Sequence, residues 1–476
     1  MKKKILISGL FLALAFGLYA QKKAVYYHDT MGDASQFIYT LDYEAPLAMD
    51  FDTKNRPYII NNAKVGHNRK NGVYQITTIR NKKWVHYSYL DELEKEFGNQ
   101  LYMNGHDNEY QGFNASRSCQ MMIDDRNNLF AVIGIYLKKS GKTEIQYVLV
   151  TAYDVASKNF DGEFEIKRVF PENAVMASME VRNSFNGSVK YAPLLCYVIH
   201  QPGFPYKTPY AWAQKSYHKA YLLNMYYKNK KLVVQEPVFL DDRIPGLQKH
   251  SGGESVAVTK GHMSYIPYLR HDSDPKKDPD GNNVTYIKAF NRKTNKIETE
   301  RIFLFENMPK FADGHSQPVI GIDKDGYLYV QGGAHADTGF KDTRSKKPMD
   351  ISSWTEAEMI GHGRTYTCIL IDANNKKHTF FRASSPYKLY YQNGDCEDGY
   401  ENDNGQLFVD QNSKNSYRVY YHHLNKDRNN RIYVSWTPNS GADYKTWDFR
   451  RVLAFSDDSG KTWKIATRED FINATE

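Results

Sequence analysis

Asp323-Lys324-Asp325-Gly326-Tyr327-Leu328-Tyr329-Val330 reads as a tight turn that feeds a β-strand. Asp caps its own backbone in such a turn, Gly supplies a left-handed φ, and the aromatic and branched residues that follow suit a pleated surface. The same signature recurs at Asp52–Asn55 before Pro57-Tyr58-Ile59-Ile60 and at Asp125–Asn128 before Leu129-Phe130-Ala131-Val132. It returns at Asp372–Asn375 and at Asp427–Asn430, again followed by strand-forming residues. Each copy predicts a β-hairpin. A weaker copy turns at Gly261, 65 residues before Gly326, and aligns His250-Ser251 with His315-Ser316 and Arg270 with His335. The spacing leaves room for a seventh copy near Asn186-Gly187.

Evenly spaced hairpins of this length predict an all-β fold, a seven-bladed β-propeller of four-stranded antiparallel blades. Ser456-Asp457-Asp458-Ser459-Gly460-Lys461-Thr462-Trp463 adds an Asp box, S-x-D-x-G-x-T-W, a turn that joins outer strands of propeller blades. Composition agrees, with 37 Tyr and 24 Phe. Helical periodicity is confined to one stretch, Tyr89 to Phe97. A pair of β-sandwiches would also be rich in strands, but the even turn spacing and the lack of a Pro/Gly/Ser linker argue against it.

Residues 1–20 combine Met1-Lys2-Lys3-Lys4, an apolar run from Ile5 to Leu18 and a small residue before Gln21, which predicts a secretory signal peptide cut after Ala20. The run is short for a membrane span, so residues 21–476 are expected to be one exported propeller domain. The formal charge of +8 includes the three leader lysines, and no Lys/Arg-rich arm suggests nucleic acid. Cys119, Cys196, Cys368 and Cys396 lie far apart, without zinc-ligand spacing, and read as buried thiols.

Propellers bind ligands where inner-strand ends and their loops converge. In Asp313-Gly314-His315-Ser316 and Gly332-Gly333-Ala334-His335, two histidines stand symmetrically about the turn at Gly326, which returns both imidazoles to one end of the blade. Imidazole exchanges protons near neutral pH. In the next blade, Tyr366 and Arg382 occupy nearly the same places about the turn at Asp372–Asn375. Two histidines, a phenol and a guanidinium on one rim form a proton-transfer and anion-binding set.

These residues resemble the BNR-4 repeat propellers, and among them the seven-bladed ulvan lyases. The likeness rests on Asp313–His335, Asp350–Arg382 and the hairpin series. It implies a polysaccharide lyase that cleaves a uronate-containing, ulvan-like sulfated glycan by β-elimination. One histidine or the tyrosine would remove the C5 proton, another of these groups would protonate the departing O4, and an arginine would offset the carboxylate. Those roles fall on His315, His335, Tyr366 and Arg382. The family's usual Thr-Tyr-Pro is Thr365-Tyr366-Thr367 here. Strand counting adds His250, Arg270, Tyr421 and His423 to the same rim as glycan-binding residues.

Two other readings use the same fold. A sialidase-type hydrolase would want an arginine cluster and paired carboxylates, and no such pair stands at the histidine blade. A non-catalytic glycan-binding propeller would use the same arginines and tyrosines. The chemistry needs no cofactor. Acidic runs at Asp395–Asp398 and Glu401–Asn404 offer calcium-type oxygens without a defined loop motif, and the histidine pair lacks a third zinc ligand. The expected partner is an acidic polysaccharide, and the expected state is a monomer.

Overall fold

The computed structural model describes residues 48–61, 74–101, 120–205, 216–229, 231–245, 255–272, 283–307, 316–332, 339–360, 364–383, 388–396, 405–409, 418–439 and 452–475. The predicted leader, residues 1–20, and Cys119 lie outside them. Seven antiparallel sheets follow one another along the chain as the blades of a propeller, at 49–88, 120–167, 174–244, 258–306, 319–360, 364–409 and 418–465. Each strand pairs with the next in sequence, apart from a hairpin inserted in the third blade and an extra edge strand in the fourth.

Five of the predicted turns form by one repeated device. In each, an Asp carboxylate oxygen accepts two backbone N–H groups, two and four residues further on. Asp323 Oδ1 accepts from Asp325 and Tyr327 at 3.0 and 2.8 Å, and Asp372 Oδ1 from Asn374 and Lys376 at 2.9 Å each. Asp52 and Asp427 do the same. The left-handed residue is Asn55, Gly326, Asn375 or Asn430, as the sequence pattern requires. One copy needs correction: in the second blade Asp124, rather than Asp125, accepts from Arg126 and Asn128, and Asn127 is left-handed. Adjacent aspartates made the register ambiguous, and only Asp124 follows the strand Gln120–Ile123 directly.

The copy expected near Asn186-Gly187 falls between the right strands, Ala174–Met179 and Leu195–Pro205, but it is not a tight turn. Residues 180–194 instead cross to every other blade. Arg182 donates to the Ile123 carbonyl and pairs with Asp50, Asn183 donates to the Ile320 carbonyl, and the Asn183 carbonyl accepts Ile371 N–H. Gly187 N–H reaches the Thr259 carbonyl, and the Lys426 ammonium sits 5.0 Å from the Phe185 ring. Glu180 anchors the segment, accepting from Asn186 and from both Thr259 donors. This segment closes the centre of the ring at the Asp-turn end. Tyr366 and Arg382 lie at the opposite end of their blade from its Asp372 turn.

The Asp box forms as read. Asp458 accepts from Thr462 N–H and Oγ1–H at 2.7 Å each, and Trp463 packs its edge on Phe380, Tyr391 and Phe408. The predicted helix spans Leu90–Phe97. A second helix, Arg468–Ala474, has a capping box between Thr467 and Asp470, a signal the periodicity reading passed over. Cys196, Cys368 and Cys396 are buried free thiols. Among the described residues no helix is long and apolar enough to cross a membrane.

Candidate active site

Strands Arg364–Ile371 and Lys376–Ala383 pair Thr365 with Arg382 and then Cys368 with Phe380. The first strand thus carries one extra residue, a β-bulge at Tyr366-Thr367. Tyr366 has φ +57°, a left-handed conformation costly for a bulky side chain. Bulges re-aim side chains, and strain of this kind gathers at working sites. Here the bulge brings the phenol ring under the Arg382 guanidinium, whose Cζ lies 4.4 Å from the ring centroid. Both side chains are about nineteen-twentieths buried, at 5% and 6% exposure. Two residues that the sequence put at equivalent places on adjoining strands are in contact.

The blade carrying them is tied to the preceding, histidine-bearing blade through Gln331. Thr367 Oγ1–H donates to Gln331 Oε1 at 2.9 Å, and Gln331 Nε2–H donates to Thr379 Oγ1 at 3.2 Å. A buried pair, Lys377 and Asp342 at 2.7 Å, adds a second tie between these blades. On the other side, His422 Nε2–H donates to the Phe380 carbonyl at 3.1 Å, two residues from Arg382. Sequence reading missed Gln331 and His422, because they matter through inter-blade partners that no spacing reveals. His378, on the same strand as Arg382, is a structural histidine. Burial pushes its imidazole pKa down, against the pull of Asp372 at 3.2 Å, and its Nδ1 meets the Tyr391 hydroxyl at 2.7 Å.

The remaining predicted residues are distributed unevenly. His315, His335 and His250 lie outside the described residues, as does the Tyr421 side chain, whose backbone belongs to Arg418–Lys426. That strand repeats the irregularity of the Tyr366 strand, between Tyr420 and His423, so Tyr421 holds the backbone place of Tyr366 one blade on. His423 is buried, at 3% exposure. Arg270 is also buried, with carboxylate oxygens of Asp241, Asp242 and Asp272 at 3.3, 3.2 and 2.7 Å. Its charge is met inside the protein, between the third and fourth blades. A strand count gives the face of a residue but not whether acids reach it first.

Gln317, two residues after His315, stands out among the buried polar groups. It is 4% exposed, and among the described residues neither its amide nitrogen nor its oxygen has a hydrogen-bond partner. A buried amide left so costs on the order of 1–3 kcal/mol, and native proteins keep such groups for a reason. Gln317→Leu, of similar shape, is expected to raise unfolding stability in urea by about 1 kcal/mol and to weaken ligand binding. A fall in stability would mean that the amide is satisfied within the fold. Among the described residues no group of three or more His, Cys, Asp or Glu could hold a metal.

Residues 264–472, which include Tyr366 and Arg382, match the BNR repeat-containing family BNR_4. The match spans the last four blades of the propeller. The chain is 27% identical over 147 residues to an ulvan lyase of Alteromonas sp. (strain LOR), covering 27% of this chain and 28% of that protein. It is 26% identical over 147 residues, with the same shares, to the PL25 ulvan lyase of Pseudoalteromonas sp. (strain PLSV). It thus matches little more than a quarter of the length of these curated relatives. Among solved structures, a PL25 ulvan lyase bound to a -[GlcA(1-4)Rha3S]- saccharide is 19% identical, covering 42% of this chain and 50% of that one, with a TM-score of 0.32.

Proposed function

We propose that this propeller is an exported polysaccharide lyase that cleaves a uronate-containing, ulvan-like glycan by β-elimination. The observation that carries the reading is the Tyr366–Arg382 pair, held by a strained bulge on the blade next to the His315/His335 motif. Similarity to ulvan lyases supports the reaction class.

In the reaction, a base takes the C5 proton of the uronate, the C4–O4 bond breaks, a C4=C5 double bond forms, and the departing O4 receives a proton. The C5 proton is weakly acidic, so charge building up on the adjacent carboxylate must be offset as it leaves. Arg382, in contact with the Tyr366 ring, serves that role, acting from a buried position where its field is little screened. Tyr366 and the two histidines share the proton transfers. Gln331 and His422 are positioning residues, holding the strands that carry Tyr366 and Arg382. Arg270 has no substrate role in this scheme, and the reaction needs no cofactor.

Incubating the protein with ulvan and other uronate polymers should raise the ultraviolet absorbance of the new double bond, and His315→Ala should remove that rise while substrate affinity persists. New reducing ends without absorbance would make the protein a hydrolase. Binding without either signal would make it a glycan-capture propeller.

A further inference from the structure

The third blade carries a hairpin that none of the others has among the described residues. Met225–Lys228 and Lys231–Val234 pair with each other, outside the four-stranded sheet, between its third strand and its outermost one. The hairpin forms one wall of a groove of about 510 Å³ whose other wall is the outer part of the second blade. That groove lies far from Tyr366 along the blade axis. Ala152, which lines it, pairs with Leu129 beside the Asp124 turn, at the end of the ring opposite the candidate active site.

The lining combines aromatic faces with exposed carboxylates. Tyr227 is wedged between Phe130 at 5.8 Å and Tyr153 at 6.0 Å, so its ring is held, and Tyr153 presents 47% of its surface to solvent. Glu163 and Glu165 line the same groove and are exposed, and Lys231 and Lys167 line it with them. Glu165 holds the Lys167 ammonium at 2.5 Å. The four ionic side chains sum to no net charge, so nothing here favours a polyanion. An ordered tyrosine face takes the apolar face of a sugar ring, and carboxylates accept its hydroxyl protons.

We infer that this groove is a second carbohydrate site, which takes an uncharged, hydroxyl-rich sugar unit between Tyr153 and the carboxylates of Glu163 and Glu165. Its volume falls within the usual range for small-molecule sites. Placed at the far end of the ring from the reaction, it would tether a long glycan through its uncharged units, without taking part in the chemistry.

The inference borrows only its ligand class from the lyase reading and can be tested apart from it. Saturation-transfer NMR on the full chain, with xylohexaose, mannohexaose, maltohexaose and laminarihexaose as separate probes, should show binding of at least one. Tyr153→Ala, at an exposed position, should weaken that binding about tenfold, a loss of ~1.4 kcal/mol. Glu163→Gln, which keeps the shape, should weaken it less. Binding of none of the probes, or equal binding by Tyr153→Ala, overturns the second site. Turnover of ulvan without hexaose binding would remove this inference alone. Hexaose binding through Tyr153 without turnover would remove the lyase reading alone.

Discussion

Tyr366→Phe is expected to lower the rate of double-bond formation on a uronate polymer by about 10²–10⁴-fold while leaving the fold and substrate affinity intact. The substitution removes one oxygen. Phe adopts the same backbone conformation at the bulge and offers Arg382 the same ring face, so the 4.4 Å stack persists. Melting temperature and binding should therefore match those of the parent chain, which separates proton transfer from packing. Arg382→Ala is a useful contrast, because it removes the stack and the cation together and should reduce both stability and turnover. Wild-type turnover in Tyr366→Phe would exclude the phenol from the chemistry and leave the proton transfers to His315 and His335. A fall in turnover matched by a fall in melting temperature would give Tyr366 a structural role only.

The fold was readable from the sequence because its punctuation is local. An Asp that caps its own turn acts within five residues, so Asp52, Asp323, Asp372 and Asp427 announce their hairpins without any tertiary information. Where two aspartates stand together, as at Asp124 and Asp125, the local pattern loses its register. The 180–194 segment was unreadable for the opposite reason. Its residues are fixed by carbonyls and side chains of six other blades, and nothing in their own spacing records that. The site divides the same way. Tyr366 and Arg382 could be paired by counting from the turn, since register carries the count along both strands. The bulge, which decides the conformation of Tyr366, is invisible in Thr365-Tyr366-Thr367. Arg270 shows the reverse error, a side chain correctly placed in its strand whose charge is already met by three aspartates.

Phe471→Ala should destabilise the protein by about 3–5 kcal/mol, and the loss should be concentrated where the ring closes. Among the described residues the first and last blades share no strand, since one is built from 49–88 and the other from 418–465. Side chains must therefore join them. Asn55 donates to Asp427 at 3.0 Å, Arg428 N–H donates back to Asn55 Oδ1 at 2.8 Å, Asn425 donates to the Met49 carbonyl at 2.7 Å, and Phe51 stacks on Tyr433 at 5.4 Å. The C-terminal helix bridges the same seam from outside. Phe471, 1% exposed, stacks on Tyr433 of the last blade at 5.2 Å and meets Trp84 of the first edge-on at 5.7 Å. Removing this ring leaves a cavity shared by both blades, and neither can fill it without moving from the other. Hydrogen exchange should then quicken in the strands of 49–88 and 418–465, with those of 258–306 nearly unchanged. A uniform increase around the ring would mean that the blades unfold as one unit. A destabilisation under 1 kcal/mol would mean that the polar contacts of Asn55, Asn425 and Arg428 close the ring without the helix.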